Sequence, residues 1–307
     1  RTVLIEDFTG QSCTNCPDAH QVIRDLQTQY GEQVIAVAIH AGHFGIAEGS
    51  NPTFVGLMQP EGNSYADYWQ VASYPAGVIN RTSGVLKHTD WAAYSRSALM
   101  GEPTMQISIN NSLSADSIII HTEIISQTDT DGKLQLWITE SNITAPQLQA
   151  GTLVPSYTHH HVYRASVNGL WGEEVSLTHG TTHKTTHSIA LRDNWDISNL
   201  SVVAFVYNES DGVLQVTEHH IETVNNNNYY TTTMRKLFNN TWLMLACMAM
   251  TAVFTACEPE TIDEDEKALA FVCGTEGIKD GSTYTSTTLD PTFQALGVTR
   301  FVPGINL

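Results

Sequence analysis

The chain has 307 residues, room for two domains of the usual ~100–200 residues each. Charged side chains make up 15% of it, below the typical ~25%, and 32 acidic against 14 basic residues leave a net charge of −18. That balance excludes a nucleic-acid partner, because phosphate binding needs clustered Lys and Arg and no basic cluster is longer than Arg235-Lys236.

Thr, Ser and Asn take the place of the missing charges, which suits a β-rich exported protein. The chain opens at Arg1, directly before the strand-like run Val3-Leu4-Ile5, so an N-terminal export signal is expected to have been removed or not captured. Cys13 and Cys16 follow. Pro17 then opens a helix where its missing N–H costs nothing. Ala19, Val22, Ile23, Leu26 and Tyr30 recur at helical spacing, and Gly31 closes the helix. Val34 to Ile39 is a near-continuous apolar run, typical of a buried parallel strand.

A Gly-, Asn- and Pro-rich loop is predicted from His40 to about Gly62, then a helix from Ser64 to Ala72. Gly77-Val78-Ile79 reads as a strand after Pro75, Gly84-Val85-Leu86 as another, and Trp91 to Met100 as a helix. From Pro103 the period changes to two. Met105-Ile107-Ile109, Ile118 to Ile124, Leu134-Leu136-Ile138, Val162 to Val167 and Val202 to Tyr207 read as strands, with hairpin turns at Asp131-Gly132 and Asp211-Gly212. Residues 103–224 are therefore expected to form an all-β sandwich.

The polar run 225–233 reads as a disordered Asn/Thr-rich linker. Met234-Arg235-Lys236, the apolar run Leu243 to Phe254, and Phe254-Thr255-Ala256-Cys257 then have the layout of a lipoprotein signal peptide over 234–257, with Cys257 as the lipidation site. At twelve residues the run is shorter than the ~20 a membrane-spanning helix needs. Residues 258–307 read as an acidic tail or the start of a second polypeptide. The alternative for 234–257 is a C-terminal membrane anchor of the preceding domain.

Cys13 and Cys16 carry the clearest chemical signal. Residues 17–246 hold no cysteine, so the chain is no disulfide-rich scaffold. A Cys-x-x-Cys at the first turn of a helix sets the leading thiol beside unsatisfied N–H groups, which lowers its pKa and frees a thiolate. The second cysteine, one turn on, resolves a mixed disulfide. An inert disulfide and a zinc half-site are the competing readings. A zinc site needs further ligands, and His20 or the distant pair His40/His43 are the nearest candidates in sequence.

The strand ending Asp7-Phe8, the spacing to Cys13, and the element order β-α-β-α-β-β-α resemble thioredoxins. That resemblance implies an α/β thioredoxin-like fold over 1–102 followed by the β-sandwich domain. It also implies that Cys13 is the nucleophile, Cys16 the resolving thiol and Asp7 a buried carboxylate assisting proton transfer. Pro75 would be the cis-proline beside the disulfide, and Tyr74, Thr14 and Asn15 would contact a bound peptide. Ser12, Thr14-Asn15 and Pro17 depart from the thioredoxin pattern.

Four runs in order are more specific. Leu4-Ile5-Glu6-Asp7-Phe8-Thr9-Gly10, Cys13-Thr14-Asn15-Cys16-Pro17, Ala76-Gly77-Val78-Ile79-Asn80-Arg81 and His160-His161-Val162-Tyr163-Arg164 resemble the outer-membrane-protein-28-related family of Bacteroidetes. The resemblance implies a cell-envelope protein, in the outer membrane or periplasm, held at a membrane only through a lipid anchor. No cofactor is implied. Two functions fit: thiol–disulfide exchange with peptide or protein thiols and disulfides, or a non-catalytic lipoprotein that binds a ligand or envelope partner through its β domain.

Nine of the thirteen histidines fall after residue 103, among them His159-His160-His161 and His179/His183/His187. Exposed loops or strand faces account for them better than a metal site, and no metal ligand is assigned. The loop His40 to Gly62 is predicted to fold over the cysteine pair and leave Cys13 well below half exposed.

Overall fold

The computed structural model describes residues 1–221, which fall within one compact unit, Arg1–Asn228. It is mostly β, with three sheets and three α-helices. The first part runs β1 (Val3–Thr9), α1 (Cys16–Tyr30), β2 (Val34–His40), α2 (Pro60–Tyr68), β3 (Ala76–Ile79) and α3 (His88–Leu99). Ten strands follow: β4 (Met105–Leu113), β5 (Ser117–Ser126), β6 (Thr130–Glu140), β7 (Ile143–Gln149), β8 (Thr152–His159), β9 (Val162–Ser166), β10 (Glu173–Leu177), β11 (Thr182–Ala190), β12 (Leu200–Asn208) and β13 (Gly212–His220). Among the described residues, no helix is long and apolar enough to cross a membrane.

The sequence separates residues 1–102 from 103–224; the fold joins them. An eight-stranded sheet runs β13-β12-β6-β9-β2-β1-β3, with β10 added on β6. β1 and β2 are parallel, and β2 meets β9 through Ala38 and Val162. β4, β5 and β11 form a second sheet, and β7 and β8 a separate hairpin.

Alternation along the strands decides what lies on each face. Val3, Ile5, Val34 and Ala36 face α1 and α3 around Trp91. Leu134, Leu136, Ile138, Val202 and Ala204, farther along the sheet, pack on Ile107, Ile118, Ile120 and Ile124 of the three-stranded sheet. Leu4, Phe8, Val37 and Ile39 turn the other way, toward α2 and a buried aromatic group of Tyr65, Trp137, Tyr163 and Phe205. Trp137 Nε1 donates to Tyr65 Oη at 3.0 Å, and Tyr65 donates to Leu170 O at 2.6 Å. Each such large side chain contributes about 1.5–3 kcal/mol by burial.

Several local expectations change. α2 starts at Pro60 rather than Ser64 and ends at Tyr68, since Pro60 presets the first helical turn and Gln70 takes φ 54°. Gly84-Val85-Leu86 makes only one bridge, Leu86 to Gly77, instead of a strand. Asp131-Gly132 is not a turn: both lie inside β6, where Val175 pairs with Gly132 and a Cβ on Gly132 would stand 2.8 Å from Tyr207 O. Asp211-Gly212 does form the β12–β13 turn, with Gly212 at φ 63°. β7, β8, β10 and β13 were not legible as strands, because their polar residues break the apolar alternation.

Candidate functional site

β1 ends at Thr9, and the chain turns through Gly10–Asn15 before α1 begins at Cys16. Cys13 and Cys16 form a disulfide with Cα atoms 5.4 Å apart. They are 2% and 0% exposed, so the expectation that Cys13 is well below half exposed is met. Two elements cover the turn. From the loop after β2, Phe44 O accepts from Ser12 N at 3.2 Å and Ser12 Oγ at 3.0 Å. From the β7–β8 hairpin, Gln147 Nε2 donates to Cys13 O at 3.0 Å and Gly10 O at 3.2 Å, and Leu148 N donates to Gln11 O at 2.7 Å.

The hairpin cover was invisible in the sequence, since Gln147 and the half-cystine turn lie 134 residues apart. It also takes up Thr14. Ala150 N donates to Thr14 O at 3.0 Å and Gly151 N to Thr14 Oγ1 at 2.6 Å, so both polar groups of the expected peptide contact are occupied. Asn15 stays exposed. The Tyr74–Pro75 peptide is cis and Pro75 is buried. Tyr74 stands edge-on to Phe44 and His43, at 5.6 and 6.0 Å between ring centroids, so the loop reaches this wall too. Cys257 lies outside the described residues, as do the linker, the signal-like segment and the acidic tail.

Asp7 is fully buried, and burial pushes its carboxyl well above the usual range. It lines a cavity of about 210 Å³ with His20, His40, Tyr157, His159 and His161. The room comes from Ala36 and Ala38 on β2, beside Asp7, and from α1 opposite. His20 sits one turn after Cys16. Its Nε2 is 3.0 Å from Thr9 Oγ1 and 3.7 Å from Asp7 Oδ2, and its Nδ1 is 2.8 Å from Tyr157 Oη. Burial, then the neighbouring His159, pushes His20 down to about 3. Burial likewise lowers His159 and His161 to about 4, and His40 well below 6.5. These imidazoles are neutral at pH 7.

In the sequence His20, four residues after Cys16, and the distant His40 stand out only as further ligands for a zinc half-site at the cysteines, and His159–His161 read as histidines of exposed loops or strand faces. His159 is 2% exposed and His40 is 2% exposed, with ring centroids 5.5 Å apart. The signal present in the sequence was Ala36-x-Ala38-x-His40 along one strand face; that Asp7 pairs beside Ala38 is decided by the fold. His183 and His187 lie on strand β11, where the Thr pairs between them favour extended backbone, and His187 Nε2 pairs with Glu173 at 2.9 Å.

On the opposite face of β1, Glu6 and Arg81 form a buried two-point ion pair, Nε to Oε2 at 3.1 Å and Nη2 to Oε1 at 3.0 Å. The Arg81 guanidinium also lies 4.3 Å from the Tyr207 ring centroid and 4.8 Å from that of Phe205. This pair locks the start of the chain to the aromatic core.

No curated protein matches the chain. Among solved structures, HBP35 of Porphyromonas gingivalis is similar with a TM-score of 0.58 at 14% identity, over 73% of this chain and 76% of that one. A domain of the outer membrane lipoprotein Omp28 from the same organism aligns at 19% identity, over 40% of this chain and 91% of that one, with a TM-score of 0.29. The first likeness speaks for the fold alone. The family model "Outer membrane protein Omp28" matches residues 62–225, more than half of the sequence. The chain thus belongs to the Omp28 family of outer-membrane proteins, and its place is the bacterial cell envelope.

Proposed function

We propose that the protein is a thioredoxin-like thiol–disulfide centre of the outer membrane, kept under cover by its own β7–β8 hairpin. The observation that carries this reading is the Cys13–Cys16 disulfide bridging the turn into α1, with the buried acid Asp7 on the adjoining strand. A buried carboxyl with no hydrogen-bond partner on either oxygen is costly to keep, and perturbed groups of this kind gather at functional sites. The order β1-α1-β2-α2-β3-α3 and the cis Tyr74–Pro75 peptide support the thioredoxin-like reading of residues 1–102.

In the reduced protein, the Cys13 thiolate attacks a substrate disulfide. A Cys13–substrate S–S bond forms and the other substrate sulfur leaves as a thiolate. Cys16, passing its proton to the Asp7 carboxylate, then attacks Cys13 Sγ, re-forms the internal disulfide and releases the second substrate thiolate. The substrate is reduced by two electrons and the dithiol oxidised by two. Both cysteines are covered, so exchange requires the 147–151 segment to lift.

A second reading follows from the same cover: a permanent structural disulfide in a binding lipoprotein. Titration with reduced and oxidised dithiothreitol distinguishes them. The exchange reading expects reversible reduction with the fold retained and alkylation of Cys13 before Cys16. Unfolding on reduction, or equal slow labelling of both thiols, would overturn it and favour the structural disulfide.

A further inference from the structure

We infer that the β7–β8 hairpin is an acid-operated cover over the Cys13–Cys16 disulfide, shut while the histidines beneath it are neutral and released when they take up protons. The inference concerns the cover alone and holds whether the disulfide turns over or is permanent.

The first ground is how lightly the hairpin is fixed. Among the described residues β7 and β8 pair with each other and with no other strand, and an isolated two-stranded hairpin is at best marginally stable in water. Along both strands only Ala145, Gln147 and His159 are buried. Polar bonds do most of the holding. Around the hairpin turn they run from Gln147, Leu148, Ala150 and Gly151 to residues 10–14, and Gln11 Nε2 donates to Pro146 O at 3.0 Å. Toward the end of β8, Tyr157 Oη meets His20 Nδ1 at 2.8 Å. Segments with so few buried apolar groups open locally before the whole fold does.

The second ground is what closure buries. β8 brings His159 onto His40 of β2, with ring centroids 5.5 Å apart, and Tyr157 onto His20 of α1, at 5.8 Å. His159 Nε2 and both ring nitrogens of His40 are buried without a hydrogen-bond partner. Such atoms destabilise the closed state, and opening to water relieves them. The surrounding charges are mostly of one sign. His160 and His161 follow His159, and Arg24 of α1 lines the same cavity. Arg164 of β9 acts on His40, though Glu140 pairs with it at 3.1 Å. Asp7 is the one carboxyl lining the cavity, 3.7 Å from His20.

The third ground is the direction of proton linkage. Burial, then neighbouring positive groups, holds His20, His40 and His159 below 6.5 while the hairpin is shut. Lifted into water they return to that value, so opening takes up protons as pH falls below 6.5. Like charges this close in the cluster then oppose closing again. Asp7 acts oppositely, because burial raises its carboxyl and exposure releases that proton. Three imidazoles against one carboxyl leave a net uptake of about two protons, so opening rises by up to ~100-fold per pH unit between pH 6.5 and about 4.

The test is amide hydrogen exchange of the full chain, disulfide intact, at pH 7, 6 and 5, each rate divided by the intrinsic rate at that pH. Leu148 N and Ala150 N, which donate to Gln11 O and Thr14 O, report the hairpin. Amides of the β6–β12 ladder report global unfolding. From pH 7 to pH 5 hairpin opening should rise at least ~10-fold, and by more than that of the ladder. His40→Gln and His159→Gln should each flatten the rise, Asp7→Asn should steepen it, and His183→Gln on β11 should leave it unchanged. A merely structural role would not give Asp7 the opposite sign. If a variant fails to fold, the profile of the unaltered chain decides. Hairpin protection independent of pH, an equal rise in hairpin and ladder, or a slope unmoved by all three substitutions would overturn the inference. None of these outcomes bears on the dithiothreitol titration, so the two readings fail separately.

Discussion

Gln147, on β7, donates its side-chain amide to the carbonyl oxygen of Cys13 at 3.0 Å. The same Nε2 reaches Gly10 O at 3.2 Å, so one fully buried side chain ties down both ends of the cysteine turn. Replacing it by Leu removes the side-chain donor from both carbonyls and leaves each with only its backbone donor, Cys13 N on Gly10 O and Cys16 N on Cys13 O, at about 1–3 kcal/mol of stability. Gln147→Leu should lower the denaturation midpoint and speed dithiothreitol reduction of the disulfide several-fold. An unchanged reduction rate would show that the hairpin does not govern access.

The Glu6–Arg81 pair makes a second, independent prediction. Removing Arg81 strands a buried carboxylate, whereas removing both charges does not. Arg81→Met should cost about 3–5 kcal/mol in urea denaturation. Adding Glu6→Gln should recover a good part of that loss. If the double variant falls by the sum of the single losses, the two side chains are not coupled.

The buried histidines set the acid limb of stability. His161 has a folded pKa near 4 against 6.5 for the free side chain, because burial disfavours its charged form. The unfolded chain therefore binds more protons between those values. The stabilisation is full above pH 6.5 and is lost as pH falls from 6.5 toward 4, by about 1.4 kcal/mol per pH unit for each such histidine. Asp7 acts oppositely, since its raised folded pKa favours the folded state at low pH and that contribution is lost as pH rises from 3.8. His161→Asn, which suits the positive φ of 56° there, should flatten the acid slope by about one proton's worth. Stability measured against pH checks the slope.

Gly42 takes φ 62°, and a Cβ there would stand 2.5 Å from Tyr74 Oη. Gly42→Ala combines a left-handed backbone penalty of about 1–2 kcal/mol with displacement of Tyr74. A lower melting temperature and changed Tyr74 fluorescence or chemical shift are expected. A variant as stable as the parent would show that the loop yields freely.

Local information in the sequence determined what local physics controls. Pro17 and Gly31 bound α1, the apolar run 34–39 makes β2, alternation marks β4, β5, β6, β9 and β12, and the cysteine spacing allows the bridge at Cys13 and Cys16. The four motif runs were enough to point to the family. Tertiary structure alone decided the rest. That Ala38 meets Val162, that Gln147 holds Cys13, and that His40 faces His159 are contacts across more than 100 residues. No periodicity encodes such pairings, because each follows from burying two apolar faces together and leaves the polar residues between them to find partners where the strands happen to meet.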